Sequence, residues 1–446
     1  MTEARKRNTV PAKETKAAPA SKPAETKPDL PRMCTSAGHR LFPVPSLTAE
    51  DAKYMRSYSC RGIDNGLLNN YVLDGVYDFV VERVLPGWLA PNVLTLAGPV
   101  PALVVAALCL LLPREYTDPS ATHAVWRVLN VCGALAIFWF LLMDNVDGKH
   151  ARHIHWCSPL GDWLDHALDI ASYVSIITSF CLLSGLGTTA AWIFDGITVF
   201  TYTLVIWEAQ LCGELIIHKV ESCSEGMFLF ACMHIVYCIL GDPSPVFQKV
   251  LFVLPDTERL AAVGLNGQPV TVFIAFASIE ILVAAGSLFT VLDVVIRLSK
   301  REPLLRVLSA VLGALVPAAV SFGSSALFFV RHPDAAAAHP AANILQLACP
   351  SVFAIYICNL CRLLGWRFSL VETFTRPQPV LFALLPWALR LALPHVAPGT
   401  VLVVSAACSC VSLVLWFFAV TIALKNMLGM PLLHVRRPAA DAAKSK

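Results

Sequence analysis

The sequence predicts an all-α, polytopic integral membrane protein with about ten transmembrane helices and an N-terminal interfacial amphipathic helix. Of its 446 residues, 56% are hydrophobic and only 15% are charged, and the mean hydropathy is +0.63. Soluble globular domains carry about 25% charged residues. Apolar runs of the ~20 residues needed to cross a bilayer recur along most of the chain. These observations exclude a soluble enzyme and a disordered scaffold.

The positive charge is concentrated at the N-terminus. The chain has 34 Lys and Arg against 31 Asp and Glu, a net charge of +3, and residues 1–40 alone contribute +5. The remaining residues therefore sum to −2. The extended basic surface that nucleic acid binding needs is missing, and no nucleic acid partner is expected. The 15 cysteines lie mostly singly in apolar runs, which argues against a disulfide framework or a zinc site.

The first predicted elements lie outside the bilayer. Residues 1–35 are rich in Lys, Ala, Pro and Thr and predict a disordered basic tail. The segment 36–90 is predicted to be cytosolic and to contain an amphipathic helix with Asp74, Asp78 and Glu82 on one side. Its other side is apolar: Leu68, Tyr71, Val72, Val76, Phe79 and Val80. This pattern indicates a helix on the membrane surface, and a soluble helix packed on the domain is the alternative.

Ten apolar runs follow in order. They cover residues 92–112, 124–145, 162–184, 188–210, 226–241, 269–295, 304–330, 341–363, 378–394 and 400–424. The fifth and ninth are the shortest. Residues 91–226 are expected to form the functional group of helices, 227–430 the remaining membrane helices, and 431–446 a cytosolic C-terminal tail.

The basic residues in short loops predict the orientation, because they are enriched on the cytosolic side of membrane proteins. With a cytosolic N-terminus, ten such residues lie on the cytosolic side and six on the other. Ten spans return the basic C-terminus to the cytosol as well. The connection between the second and third spans is then also cytosolic.

This connection carries four carboxylates at helical spacing. Asp144 and Asp147 are three residues apart and Asp165 and Asp169 are four apart, so each pair lies on one face of its helix. Ser158, followed by proline, is typical of the N-cap of a new helix. We therefore expect the four carboxylates to converge at the cytosolic ends of two adjacent helices.

Clustered carboxylates in an apolar setting repel one another and require a cation. Oxygen ligands without cysteine favour Mg²⁺ or Mn²⁺, with Ca²⁺ as an alternative. Four carboxylates can hold two ions ~3.5–4 Å apart, a geometry that clamps a diphosphate. Gly148 and Gly161 leave room for a phosphate, and Arg152 offers it a bidentate contact.

The spacing D-x2-D-G-x2-A-R-x8-G-x3-D-x3-D, from Asp144 to Asp169, matches the signature of the CDP-alcohol phosphotransferase family at every fixed position. The chain also resembles the eukaryotic choline/ethanolamine phosphotransferase branch of that family. The supporting residues are Tyr58, Gly62, Asp64, the run 71–73, the run 89–95 that includes Asn92, the Ser158–Gly161 run with Asp165-His166, Trp207-Glu208 and Glu225-Gly226. The resemblance covers about residues 54–226. Ala167 departs from it, because that branch usually has glycine there.

The resemblance implies transfer of phosphoethanolamine from CDP-ethanolamine to diacylglycerol or alkyl-acylglycerol, giving phosphatidylethanolamine and CMP. This is the last step of the CDP-alcohol (Kennedy) pathway. CDP-choline as the donor, or both donors, is the alternative. The resemblance further implies an endoplasmic reticulum or Golgi membrane, a site facing the cytosol, and a second copy of the chain in a homodimer among the expected partners.

The resemblance also implies a role for each residue of the motif. The expected metal ligands are Asp144, Asp147, Asp165 and Asp169, with two Mg²⁺ or Mn²⁺ ions. Asp169 is the expected general base, and Glu208 or His166 are alternatives for the proton step. The residues expected to contact the CDP-alcohol are Asn92, Asp147, Gly148, Ala151, Arg152 and Gly161.

Several residues leave alternatives open. Three histidines could form a metal site but are predicted to be surface residues: His150, His153 and His155. Asp162 is predicted to favour the N-terminus of its helix over a metal. The aromatic side chains that could surround a choline ammonium are Trp163, Trp207, Phe200 and Tyr202. The rival functions are a secondary transporter, which would show duplicated halves, and a relative that uses inositol or glycerol phosphate.

Overall fold

The computed structural model describes residues 47–58, 62–64, 66–119, 124–212, 215–217, 223–257, 267–300, 302–366, 370 and 377–435. The predicted tail 1–35 and residues 436–446 of the C-terminal tail lie outside the described residues. Within the described part, the chain is a bundle of long apolar helices with two small sheets.

The helices that precede the fourth long span are α1 (Ala49–Arg56), α2 (the consecutive segments Asn69–Leu73, Asp74–Phe79 and Val80–Val84), α3 (Pro91–Ala97), α4 (Val100–Leu111), α5 (Arg114–Thr117), α6 (Ala124–His153) and α7 (Pro159–Leu183). The later helices are α8 (Gly187–Cys212), α9 (Cys223–Leu240), α10 (Ser244–Gln248), α11 (Val272–Ser299), α12 (Leu304–Arg331), α13 (Pro333–Ala338), α14 (Pro340–Leu363), α15 (Gln378–Ala392) and α16 (Pro398–Leu428). The strands are β1 (Gly62–Asp64), β2 (Leu215–Ile217), β3 (Val250–Val253) and β4 (Pro269–Thr271).

Among the described residues, eight helices are long and apolar enough to cross a membrane, and they fall on eight of the ten predicted spans. Helices α3 and α4 together form the first of them. The other two predicted spans, 226–241 and 378–394, are the apolar helices α9 and α15 of 18 and 15 residues. Both are shorter than the ~20 residues of a full span. The prediction of a polytopic helical membrane protein is confirmed.

The two small sheets were not predicted. β1 pairs in parallel with β2, and β3 pairs antiparallel with β4. Each strand has only three or four residues, which is too short for an alternating pattern to stand out in the sequence. The β1–β2 pair joins the segment before the first span to the connection between α8 and α9.

Side-chain contacts strengthen this junction at the start of α2. The backbone N–H of Leu68 donates to Glu225 Oε1 at 2.9 Å. The side-chain amide of Asn69 donates to Asn145 Oδ1 at 3.1 Å and to Ser224 Oγ at 3.0 Å. The N-terminal segment is thereby held against α6 and α9, on the side of the bundle where α6 ends.

Helix α2 has the arrangement that an interfacial position requires. Lys149 on α6 pairs with Asp74 at 2.5 Å and with Asp78 at 2.6 Å, and Tyr77 and Val81 are buried. The exposed apolar side chains are Tyr71, Val72, Val76 and Phe79. No described residue covers this apolar side, which can therefore face the membrane.

Helix α6 is longer than predicted, because no proline or glycine pair interrupts the residues after 145. It ends at His153 with a basic last turn, a favourable charge at a helix C-terminus. Helix α7 starts as predicted, with Ser158 Oγ accepting the N–H of Gly161 at 3.0 Å. The whole metal-ligand motif therefore lies on two helices and the short turn between them.

The most buried long helix is α14. Nearly all of its side chains are buried, and it packs against α7, α8, α12, α15 and α16. Its last turn carries Arg362, whose guanidinium reaches the start of α7. The second half of the chain thus contributes to the same end of the bundle as the motif.

Candidate active site

A cleft of about 180 Å³ opens where α3, α6 and α7 meet. All six residues predicted to contact the CDP-alcohol line it: Asn92, Asp147, Gly148, Ala151, Arg152 and Gly161. Residues from other parts of the chain complete the lining, among them Tyr58, Thr95, Trp156, Asp162, Asp165, His166 and Arg362. The structure therefore brings together what the motif spacing and the run at 89–95 predicted separately.

Three of the four predicted metal ligands form one cluster. Carboxylate oxygens of Asp144, Asp165 and Asp169, one from each residue, lie within 4.8 Å of one another. All three side chains are partly buried, so water screens their mutual repulsion only incompletely. Hard oxygen donors at this distance fit a divalent cation of the Mg²⁺ type. The cluster lies beside the cleft, because Asp165 belongs to both.

The fourth predicted ligand, Asp147, lies one turn along α6 from Asp144 and is one of the residues that line the cleft. Its side chain is buried, and the Thr95 hydroxyl of α3 donates a hydrogen bond to its carboxylate. In the described part of the chain it is not a member of the carboxylate cluster. A metal-ligand role for Asp147 stays a prediction, and the structure adds the link to α3 through Thr95.

Two glycines keep backbone free beside the cleft. A Cβ atom at Gly148 would lie 3.5 Å from Arg152 Nη1, so this guanidinium lies over the glycine at the exposed rim. A Cβ atom at Gly161 would lie 3.2 Å from Asn92 Oδ1 and 3.4 Å from Ser158 Oγ. The first distance is shorter than ordinary van der Waals contact allows, so a side chain at Gly161 displaces Asn92.

We predict that Gly161→Ala raises the KM for the CDP-alcohol expected from the sequence resemblance about tenfold, equivalent to about 1.4 kcal/mol of lost binding. The added methyl group presses on Asn92 Oδ1 and narrows the cleft. The measurement is initial rate against CDP-alcohol concentration. Gly226→Ala is the control, because nothing lies within 4 Å of a Cβ at that position. Equal KM values for the two variants would contradict the prediction.

Asp162 is the centre of a buried polar network. Its carboxylate accepts from both terminal nitrogens of Arg362, one of them at 3.3 Å, and from the Tyr58 hydroxyl at 2.5 Å. Arg362 also donates to Asn359 Oδ1 at 3.1 and 2.8 Å. Asp162 is thus neutralised by Arg362, and the prediction that it favours the helix N-terminus over a metal stays a prediction.

His166 is attached to the same network. Its Nδ1 lies 3.0 Å from the carbonyl oxygen of Asp162 and 3.2 Å from Asp162 Oδ1. The distance from Nδ1 to Asp165 Oδ2 is 3.7 Å. The ring therefore lines the cleft between the network and the carboxylate cluster.

The other candidates for the proton step are not part of the described cleft lining. Glu208 is buried on α8, and neither it nor Asp169 lines the cleft among the described residues. Asp169 belongs to the carboxylate cluster behind the lining.

The prediction that His150 is a surface residue is wrong. His150 is fully buried, with Nε2 3.0 Å from the carbonyl oxygen of Leu89, whereas His153 and His155 are exposed as predicted. The reason is that α6 continues past 145, so His150 follows Met143 and Val146 on its buried face.

Trp163 does not form a wall of the cleft. Its side chain is buried, its Nε1 donates to Thr421 Oγ1 at 3.0 Å, and its ring packs against Tyr356, Trp416 and Phe417. The other suggested aromatic residues, Trp207, Phe200 and Tyr202, are also not among the described lining residues. Tyr202 instead donates from its hydroxyl to the carbonyl oxygen of His166 at 2.9 Å.

The sequence interpretation missed Arg362 as a site residue and used it only to assign orientation. Asp162 and Arg362 are 200 residues apart, so no local spacing connects them. A charged residue at the end of an apolar run was the available signal. Tyr58 and Thr95 were noted in the resemblance but without a contact.

The fold and the site together define a polytopic helical membrane protein with a cluster of carboxylates beside an open polar cleft. The chain belongs to the CDP-alcohol phosphatidyltransferase family, because the family's sequence profile matches residues 88–366, more than half of the chain. The whole carboxylate motif and Arg362 lie within this match.

Curated relatives support the same family. The chain is 32% identical over 183 residues to cholinephosphotransferase 1 of Gallus gallus, covering 41% of this chain and 52% of the relative. It is 34% identical over 192 residues to ethanolaminephosphotransferase 1 of Pongo abelii, covering 40% and 46%. It is 25% identical over 207 residues to choline/ethanolaminephosphotransferase 1 of Saccharomyces cerevisiae, covering 46% and 51%. The matches thus span about half the length of these relatives.

Proposed function

We propose that the protein transfers phosphoethanolamine from CDP-ethanolamine to diacylglycerol or alkyl-acylglycerol and releases CMP. The observation that carries this proposal is the convergence of Asp144, Asp165 and Asp169 beside a cleft lined by all six residues expected to contact the nucleotide. Family membership and relatives named for choline and ethanolamine phosphotransfer support it.

In the proposed site, the cluster of Asp144, Asp165 and Asp169, with Asp147, holds one or two Mg²⁺ or Mn²⁺ ions, which supply positive charge to the diphosphate. Arg152 adds a permanent charge at the rim of the cleft and can bind phosphate oxygens bidentately. Gly148 lets the phosphates approach the backbone of α6. These residues orient the donor so that its reactive phosphate faces the carboxylates.

In the proposed reaction, the acceptor hydroxyl oxygen attacks the phosphorus that carries the amino alcohol. The bond from this phosphorus to the oxygen of CMP breaks, and CMP leaves with the electron pair. The hydroxyl proton passes to a carboxylate, for which Asp169 is the first candidate. Glu208 and His166 are the alternatives, and His166 has the advantage of lining the cleft.

Carboxylates near the cleft favour ethanolamine over choline. A primary ammonium donates three hydrogen bonds, whereas a quaternary ammonium donates none and is bound by aromatic cages. Asp165 lines the cleft, whereas Asp162 is already paired with Arg362. The four aromatic residues first considered for a cage are absent from the described lining, in which the aromatic side chains are Tyr58 and Trp156. Choline use, alone or beside ethanolamine, is the competing outcome of the assay.

The proposed location is the endoplasmic reticulum or Golgi membrane with the cleft facing the cytosol, and a homodimer is the proposed assembly. A water-soluble CDP-alcohol then reaches the cleft from the cytosol, while the lipid acceptor arrives from the bilayer. The basic residues at the cytosolic span ends support this orientation.

The test is an assay of the purified full chain in lipid nanodiscs with diacylglycerol, Mg²⁺ and either CDP-ethanolamine or CDP-choline. We expect CMP release that depends on diacylglycerol, with the higher kcat/KM for CDP-ethanolamine, and complete loss in excess EDTA. Phosphatidylethanolamine is identified by mass spectrometry. Higher kcat/KM for CDP-choline would overturn the head-group assignment. Full activity in EDTA, or no lipid product from either donor, would overturn the proposed reaction.

A further inference from the structure

Residues 429–435, which follow the last described membrane helix, pass beside a residue that lines the cleft. Helix α16 ends at Leu428 and is capped by Gly429, whose φ of 64° is left-handed and suits glycine. The N–H groups of Gly429 and Met430 donate back to the carbonyl oxygens of Asn426 and Lys425 at 3.3 Å. The chain therefore reverses direction, Pro431 is buried, and Leu432 packs against the core.

The reversed segment contacts a residue that lines the cleft. Asn92 Nδ2 donates to the carbonyl oxygen of Leu432 at 3.0 Å, across 340 residues of sequence. The Asn92 side chain is buried. Because a backbone carbonyl can only accept, the atom of Asn92 that faces Leu432 is the amide nitrogen. This contact therefore determines which way round the amide lies.

The other atom of the amide, Oδ1, consequently lies on the opposite side. It is close to Gly161, where a Cβ would approach it to 3.2 Å. Gly161 is the third residue of α7, and both residues line the cleft. An amide oxygen has acceptor capacity only, so it suits a hydrogen-bond donor on the ligand. On a cytidine nucleotide, the donors are the exocyclic amine and the ribose hydroxyls.

We propose that the segment 431–435 is a positioning element of the nucleotide site. The Leu432 carbonyl holds the Asn92 amide so that Oδ1 accepts a hydrogen bond from a donor of the cytidine nucleotide. This inference rests on the proposed function for the identity of the ligand. The bond between Asn92 and Leu432 itself does not depend on the ligand.

This role predicts a specific kinetic effect. In this proposal Asn92 contacts the cytidine part of the donor and not the phosphate that is transferred. Losing the orientation of the Asn92 amide therefore weakens nucleotide binding equally in the ground state and the transition state. Such a loss raises KM and leaves kcat unchanged. One hydrogen bond of ordinary strength corresponds to an increase in KM of about five- to tenfold.

The test compares two shortened chains that differ only by the segment. One ends at Met430 and lacks Leu432, and the other ends at Val435 and retains it. We expect the KM of the chain ending at Met430 for the CDP-alcohol to be roughly five- to tenfold higher than that of the full chain. Its kcat should stay within about twofold of the full chain's value. The chain ending at Val435 is expected to match the full chain. Leu433→Ala is a further control, because Leu433 is 55% exposed. Equal KM values for the two shortened chains would overturn the proposal.

A double-mutant cycle separates positioning from general damage. In an Asn92→Ala background, removal of residues 431–446 should cause no further rise in KM, because the side chain to be positioned is gone. An equal rise in both backgrounds would show that the segment acts elsewhere and would refute the inference.

The same double-mutant cycle is then measured by the midpoint temperature of thermal unfolding without substrate, so that this test does not depend on the proposed function. Asn92→Ala should lower this midpoint temperature more in the chain ending at Val435 than in the chain ending at Met430. Absence of this coupling overturns the inference, even if the full chain is active. Absence of turnover by the full chain, with the coupling present, would instead contradict the proposed function.

The ligand donor is identified by competition with nucleotides that lack one group. CMP, UMP, which has no exocyclic amine, and 2′-deoxy-CMP are compared as inhibitors of the chain ending at Val435 and of the chain ending at Met430. The nucleotide that lacks the contacted donor should inhibit both shortened chains equally well. CMP should inhibit the chain ending at Met430 less strongly than the chain ending at Val435. Equal weakening of all three would contradict a hydrogen bond from either group to Asn92.

Discussion

Replacing Asp144, Asp165 or Asp169 by asparagine will lower turnover by about 100-fold or more and will raise the thermal stability of the metal-free protein. The two effects share one cause. The three carboxylate oxygens lie within 4.8 Å of one another and are partly buried, so without a cation their repulsion opposes folding. Removing one charge relieves this repulsion but weakens the cation site.

The measurement is the midpoint of thermal unfolding in EDTA and in excess Mg²⁺, together with initial rates. In EDTA each asparagine variant should unfold at a higher temperature than the unmodified chain. Excess Mg²⁺ should raise the unfolding temperature of the variants less than that of the unmodified chain. Asp293→Asn is the matched control, because Asp293 is 55% exposed and paired with Arg297 on the surface of α11. A variant that is less stable in EDTA than the unmodified chain would contradict mutual repulsion at the cluster.

Replacing Arg362 by methionine will destabilise the protein by about 3–5 kcal/mol, because it leaves Asp162 as a buried, unpaired charge. The side chains of Arg362 and Asp162 are only 8% and 9% exposed, so water cannot replace the guanidinium. The double variant Arg362→Met with Asp162→Asn should recover most of this loss, since neither residue of the pair then carries a buried charge. The measurement is the free energy of unfolding of the three variants in detergent.

The matched control is the exposed pair of the same residue types. Arg297 and Asp293 lie 2.7 Å apart with side chains 64% and 55% exposed, and such pairs contribute about 0.2–1 kcal/mol. Arg297→Met should therefore cost far less than Arg362→Met. A similar cost for both arginines would show that burial is not the cause. The double variant tests a second point, since it should retain its dependence on Mg²⁺ if Asp162 is not a ligand.

The positions of the membrane helices followed from the sequence because a span is encoded locally, by the length of an apolar run. The eight full spans lie where those runs do. The sequence did not determine their ends: α6 continues to His153, and this extension buries His150 on the side of α6 that carries Met143 and Val146. A helix end depends on what the next turn packs against, which one sequence does not state.

The carboxylate motif was also readable from the sequence, because its spacing places residues on common faces of two consecutive helices. That spacing alone could not distinguish Asp147 from the others. Thr95, on another helix 52 residues earlier, donates to Asp147, whose carboxylate is not one of the three that lie within 4.8 Å of one another. The motif thus predicted the kind of site, and packing between α3 and α6 adds the contact from Thr95.

By itself, then, the sequence determined the membrane class, the order of the spans and the chemistry of the carboxylate motif, because each depends on residues within one or two helical turns or one apolar run. Only the tertiary structure decided that Arg362 neutralises Asp162, that Tyr58 joins them, and that Leu432 reaches Asn92. These partners are separated by 200, 104 and 340 residues. No local periodicity encodes such contacts, because they form only when the helices that carry them pack together.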